Sequence, residues 1–332
     1  MAVEDYDAII FHSWQMFYNK FDIPSRRTIK QRYMLFSIEP LQHCAYLTSW
    51  EYKTLKGFFN TTITFRRDSD IYVPYGQVIP KLEDDISASV VDIKLKERPV
   101  LFVTSHCRTD SRREDIAKEL NSSIQIDFRG TCAKLWEPSK LQPMIAGRAG
   151  TGFNVDKYFF YLAFENTLCQ DYVTEKFFDA LKSNVVPVVY GGSNYSLNAP
   201  PHSYINTMDF ESSIHLANYL RYLMKNPEKY QEYFAWKRKY RIVDSDTNTD
   251  RNRDRIPPSF PCRLCEYLNI NNSTKIYEDL EDWWKKKAGC SGWIKAHYCN
   301  RLNEHLFSGR NVFKKLMKKH KVNNILDLQV FK

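Results

Sequence analysis

Residues 160–192 read FYLAFENTLCQDYVTEKFFDALKSNVVPVVYGG. The residue types run strand, polar loop, helix, strand and glycine turn. Val173, Phe177, Ala180 and Leu181 fall at i, i+4, i+7 and i+8 and give a helix one apolar face. Asp171 is the expected N-cap. VVPVVYGG is β-branched and closes on two glycines, as a buried strand entering a tight turn does. The loop and first helical turn carry Glu165, Asn166, Asp171, Tyr172, Glu175 and Lys176. A plain crossover needs no such density of polar groups. Ligands of open α/β sheets lie where strand ends meet helix starts, and a helix N-terminus offers free N–H groups and positive dipole to a phosphate. Lys176 adds a full charge at that place.

Working outward, strands are expected at 5–12, 32–39, 63–65 and 71–73, with a linker over 81–98. A second set follows: a strand at 99–103, a helix at 112–120, a strand at 124–128, the stretch above and a helix over 210–233 with Ile214, Ala217, Leu220 and Leu223 inward. Residues 243–261 read as loop, and 310–321 as a basic amphipathic helix. Two regions of alternating strands and helices predict two Rossmann-like domains facing a cleft. The chain has 332 residues, 43% of them hydrophobic, which supports two packed domains. No G-x-G-x-x-G is present, which argues against a nicotinamide dehydrogenase. The net charge of +9 comes with no nucleic-acid motif, and its clearest run reads as a solvated helical face.

FYLAFEN-T-x3-DY-x-TEK followed by VPVVYGG resembles the donor motif of the α1,3-fucosyltransferases. FNTTITFRRDSDIYVPYG (59–76) resembles a second segment of that family. CRLCE (262–266) resembles the C-terminal cysteine pair of members that fucosylate the N-glycan core in plants and invertebrates. The resemblance implies an α/β fold of GT-B type, with residues 1–97 as acceptor domain and linker, 98–255 as donor domain, and 256–332 as a cysteine-containing C-terminal segment with a basic helix. It implies inverting transfer of L-fucose from GDP-fucose to the 3-hydroxyl of a GlcNAc. The innermost GlcNAc of an N-glycan is the first reading and a Lewis-type or distal GlcNAc the alternative. A catalytically silent glycan-binding relative is a remote third.

Such transfer needs cations near the diphosphate, a carboxylate near the acceptor alcohol, and a shaped pocket. Glu39, at the end of YMLFSIE, matches the family's base position. Asp68, Asp70, His43 and His12 are fallbacks. Lys176 and Arg113 are the expected phosphate cations. Arg113 stands six residues beyond Cys107, the family's spacing, but Arg112 is one register away and the choice between them stays open. Tyr161, Asn166, Tyr172 and Glu175 match the other donor-site positions, while the role of Glu165 stays open between a ligand contact and orienting the loop.

No metal is expected, since GT-B members generally use cationic side chains in its place. The D-x-D spellings at Asp68–Asp70 and Asp244–Asp246 are read as structural, the first pairing with Arg66 and Arg67. Cys262 and Cys265 are half of a zinc site or, in a luminal protein, disulfide partners, as are Cys290 and Cys299. Cys107 and Cys132 flank one βαβ step and can bridge, and Cys44 and Cys169 remain. Sequons at Asn60, Asn121, Asn194, Asn271 and Asn272 point to a secretory compartment. Family members are type II Golgi proteins with an N-terminal signal anchor. None is found in these residues, so the expectation is the luminal catalytic part of an anchored protein.

Overall fold

The computed structural model describes residues 3–13, 24, 26–40, 55–82, 91–136, 154–244, 260–270 and 275–290. His43, Cys44, Cys299, Asp246, Asn271, Asn272 and the helix expected at 310–321 lie outside them.

The first sheet has four parallel strands in the order β1 (Ala8–His12), β2 (Arg32–Ser37), β3 (Thr61–Thr64), β4 (Ile71–Tyr72). β2 and β3 are buried, whereas β1 is half-exposed at the sheet edge. The second sheet is five-stranded and parallel. Its strands are β6 (Arg98–Val103), β7 (Ile126–Arg129), β8 (Tyr158–Phe164), β9 (Val186–Tyr190) and β10 (Ile205–Asn206), in the order β10-β9-β8-β6-β7. β8 is central, so both of its faces must be apolar, which YFFYLAF satisfies. Pro187 is tolerated in β9 because it lies outside the two residue pairs made with β10. β5 (Gly76–Pro80) and β11 (Tyr240–Asp244) form a separate antiparallel ribbon.

Helices α1 (Arg113–Asn121), α2 (Glu175–Lys182), α3 (Ser213–Lys225) and α4 (Pro227–Glu232) cover the second sheet. Three expectations are corrected here. α2 starts at Glu175 with Thr174 as its N-cap, not at Asp171. Asp171 adopts a left-handed backbone (φ 62) and gives its carboxylate to the Arg67 amide at 3.1 Å. The helix expected over 210–233 breaks at Asn226, where Pro227 starts α4. Within α3, Ile214 faces solvent, and Leu216 joins Ala217, Leu220 and Leu223 in the core.

The C-terminal segments return to the first sheet. α5 (Phe260–Ile270) packs beside Met34, Ile63 and Ile71. Residues 275–290 bury Tyr277, Leu280, Trp283 and Trp284 against Tyr33, Phe59, Phe65 and Tyr172. Cys290 is disulfide-bonded to Cys169, a pairing the cysteine spacing did not indicate. Cys107–Cys132 forms as the sequence allowed. Cys262 and Cys265 lie one turn apart on α5 and are exposed. Asn60 is built into the fold: its Oδ1 accepts the Tyr33 amide at 2.9 Å and its Nδ2 donates to the Lys275 carbonyl at 3.1 Å.

Candidate active site

The chain leaves β6 toward β7 on one side and β8 on the other. The order therefore reverses between β6 and β8, and such a switch point is where an open α/β sheet offers its carboxyl edge to a ligand. Arg113 sits at this point. Its guanidinium donates to the Phe164 carbonyl at the end of β8 (2.7 Å) and to Thr104 Oγ1 just past β6 (2.8 Å). Arg113 is 2% exposed, and its Nε has no partner among the described residues. Burial pulls its pKa down, and the nearby Glu165 charge opposes that. Arg112 adopts a left-handed backbone and pairs with Asp115 at 2.5 Å on the half-buried face.

Glu165 organises the loop after β8. Fully buried, it accepts the Thr174 amide (2.8 Å) and hydroxyl (3.0 Å) and lies 3.4 Å from Lys176 Nζ. Its carboxylate thus satisfies the start of α2, where an anion suits the helix dipole. Burial nevertheless pushes its pKa up, against the pull of Lys176. Lys176 Nζ also donates to Thr174 Oγ1 (2.8 Å) and Glu175 Oε1 (3.2 Å). Burial opposes the ammonium, but Glu165 and Glu175 outweigh it and hold the pKa above its ordinary value. For Glu175 burial acts upward, and Lys176 with the helix-start hydrogen bonds outweighs it, so its pKa is lowered. Asn166 is nearly buried, with an Oδ1 lacking a partner among the described residues. Tyr161 is buried on β8, and burial raises its hydroxyl pKa.

Tyr172 reaches across to the first sheet. Its hydroxyl donates to Glu39 Oε2 at 2.5 Å, and Tyr75 donates to Glu39 Oε1 at 3.0 Å. The structure therefore brings Glu39, Tyr172, Glu175, Lys176 and Arg113 into one electrostatic neighbourhood: Glu39 helps keep Lys176 charged, and Arg113 opposes it.

The fallback carboxylates are committed elsewhere. Asp68 takes both Arg66 Nε (2.8 Å) and Nη2 (2.6 Å), and Asp70 binds Thr62, Tyr277 and Lys275. Arg67 pairs with Asp171 across the lobes, not with its own D-x-D. Asp244 pairs with Lys182. His12 packs on Phe36, with burial lowering its pKa. Among the described residues no three His, Cys, Asp or Glu side chains cluster as metal ligands.

Residues 93–283 match the family description "Glycosyltransferase family 10 (fucosyltransferase) C-term", and residues 1–76 match "Fucosyltransferase, N-terminal". The chain belongs to glycosyltransferase family 10. Alpha-(1,3)-fucosyltransferase C of Drosophila melanogaster is 36% identical over 301 residues, covering 85% of this chain and 66% of that protein. Glycoprotein 3-alpha-L-fucosyltransferase A of the same organism is 33% identical, covering 79% and 49%. The human 4-galactosyl-N-acetylglucosaminide 3-alpha-L-fucosyltransferase FUT5 is 34% identical, covering 70% and 59%. This family 10 chain thus spans about half to two thirds of the curated relatives' length. A solved alpha1,3-fucosyltransferase with GDP-fucose has the same fold (TM-score 0.50, 18% identity, 82% of this chain and 80% of that one). The two α/β lobes are GT-B in type.

Tyr75, Thr174 and Thr104 carry parts of this candidate site that sequence reasoning did not assign. Thr174 was legible as the residue before EKFFDALK, a normal N-cap position. Tyr75 had no local signal, because its partners lie 37 and 36 residues away, and Thr104 takes its bond from Arg113, nine residues on.

Proposed function

We propose that the chain is an inverting α1,3-fucosyltransferase that moves L-fucose from GDP-fucose to the 3-hydroxyl of a GlcNAc. The observation that carries this reading is the meeting of a first-lobe carboxylate, Glu39, with the second-lobe loop that holds Lys176 and Tyr172. Glu39 takes the proton of the acceptor alcohol. The alcohol oxygen bonds to fucose C1 on the face opposite the diphosphate, and the C1–O bond breaks with its electrons on GDP. Lys176 neutralises the charge that develops on the departing diphosphate. Arg113 supports the crevice wall, and its unpartnered Nε is the atom left to face a ligand. Glu175, Asn166 and Tyr161 line the donor's sugar or ribose side.

The acceptor proposed first is the innermost GlcNAc of an N-glycan. CRLCE and the similarity to a glycoprotein 3-alpha-L-fucosyltransferase support it. A distal GlcNAc is the second reading, favoured by the similarity to the human 4-galactosyl-N-acetylglucosaminide enzyme. Glycan mass spectrometry on a defined N-glycan separates the two. The family relationship also supports a Golgi-lumenal setting and a membrane tie outside the described residues, in which no helix is long and apolar enough to cross a bilayer. Glu39→Gln is expected to lower kcat at least about 100-fold with GDP affinity retained. Wild-type turnover in that variant removes Glu39 as base, and preference for a UDP or CMP sugar overturns the family reading of the donor.

A further inference from the structure

Both oxygens of Glu39 accept a phenol hydroxyl, one from each lobe. The two phenols differ in what else they touch. The Tyr75 hydroxyl lies 3.0 Å from Glu39 Oε1 and 2.8 Å from the carbonyl oxygen of Ile38, the residue just before Glu39. A phenol owns one proton and two lone pairs. It can therefore donate to the carboxylate or to the carbonyl, and a rotation about its C–O bond switches between them.

We propose that Tyr75 is a positioning residue that holds Glu39 in place both before and after Glu39 takes the acceptor's proton. The proposal rests on the reading of Glu39 as base. With Glu39 ionised, the Tyr75 proton points to Oε1 and fixes the carboxylate plane. When the alcohol proton arrives on Glu39, the Tyr75 proton turns to the Ile38 carbonyl. No buried donor is then left unpaired, and a phenol lone pair is available to the new carboxylic acid O–H. The alcohol's proton ends on Glu39 and its oxygen on fucose C1. The diphosphate leaves with the electron pair, and Tyr75 gains and loses nothing. Only the hydroxyl proton turns, and no heavy atom of Tyr75 or Glu39 has to move as the proton is transferred.

The surroundings keep Tyr75 a phenol. Burial raises its pKa well above the ordinary value, and the charges of Glu39, Glu175 and Glu165 add to that. Lys176 faces Glu39 as the nearby cation, and Tyr172 occupies the other carboxylate oxygen. The Tyr75 ring packs edge-on to Tyr172 with centroids 6.4 Å apart, a contact that phenylalanine retains.

The test uses the full chain with GDP-fucose and a defined N-glycan. Tyr75→Phe is expected to lower kcat about 10-fold or more, to leave the KM for GDP-fucose within about twofold, and to move the acid limb of the kcat–pH profile upward by about one unit. Tyr75→Gln, which restores a donor and an acceptor but loses the ring, is expected to regain part of the lost kcat with a limb between the two. An unchanged kcat and limb in Tyr75→Phe overturns the proposal. So does a fall in kcat with an unmoved limb that Tyr75→Gln fails to recover. If Tyr75→Phe does not fold, Tyr75→Gln decides alone: a shifted limb supports the role and an unshifted limb at reduced kcat removes it. Glu39→Gln measured alongside keeps the two readings apart. Retained turnover there removes the base itself, whereas an inactive Glu39→Gln with a wild-type Tyr75→Phe profile removes only the role of Tyr75.

Discussion

Lys176 is a cation that the fold has already neutralised in part. Its ammonium sits among Glu165, Glu175 and Thr174 with less than a fifth of the side chain exposed. An incoming diphosphate competes with those carboxylates and gains a charge held in a fixed direction. Lys176→Ala is expected to weaken GDP binding about 10- to 100-fold, the value of one charge-assisted hydrogen bond, measured by calorimetry. The same residue sets a pH dependence of stability. Its folded pKa lies above 10.5, so folding favours the protonated form. The contribution is whole below about pH 10.5 and is lost as pH rises through the folded value. Wild type should therefore lose stability relative to Lys176→Met in thermal unfolding as pH rises above about 10.5. The charge of Lys176 at a helix start was legible in TEKFFDALK. The burial of Arg113 was not, because SRRED looks like a solvated helix start until β8 is placed beside it.

The loop between β8 and α2 is shaped by a partner that is not its neighbour in sequence. A Cβ on Gly192 would stand 2.7 Å from the Cys169 amide nitrogen and 2.8 Å from the Leu168 carbonyl carbon. The glycine turn after β9 is thus the floor against which the loop lies, and backbone cannot yield as a flexible side chain can. Gly192→Ala is expected to cost about 1–3 kcal/mol in denaturant unfolding and to weaken GDP binding through the displaced loop. Strand, helix and strand were readable here from periodicity alone, since both faces of a central strand and one face of a helix must be apolar. Which of Asp171 and Thr174 caps α2 was not. Asp171 has the chemistry of an N-cap, yet Arg67 from the first lobe takes its carboxylate, and the cap passes to Thr174 with Glu165 beneath it.

At the scale of the molecule, the two lobes are tied beside the site. Cys169 on the loop and Cys290 on the returning tail are joined across 121 residues, and Gln170 donates to the Ala288 carbonyl at 2.8 Å. Arg67 adds a second tie, donating to the Leu197 carbonyl and Asn198 Oδ1. Cys290→Ser is expected to lower stability by about 2–5 kcal/mol in thermal unfolding and to weaken donor binding, because Tyr172 stands three residues from Cys169. The amino-acid sequence by itself determined the local elements, the two parallel sheets and the polar loop, because periodicity, glycine turns and helix starts are written within a few residues. Only the tertiary structure decided which cysteine joins Cys169, where Arg67 and Asp171 pair, and that Glu39 is gripped by a tyrosine from each lobe. Those contacts link residues up to 133 positions apart, and their energies depend on burial that exists only once both sheets and the returning tail are packed.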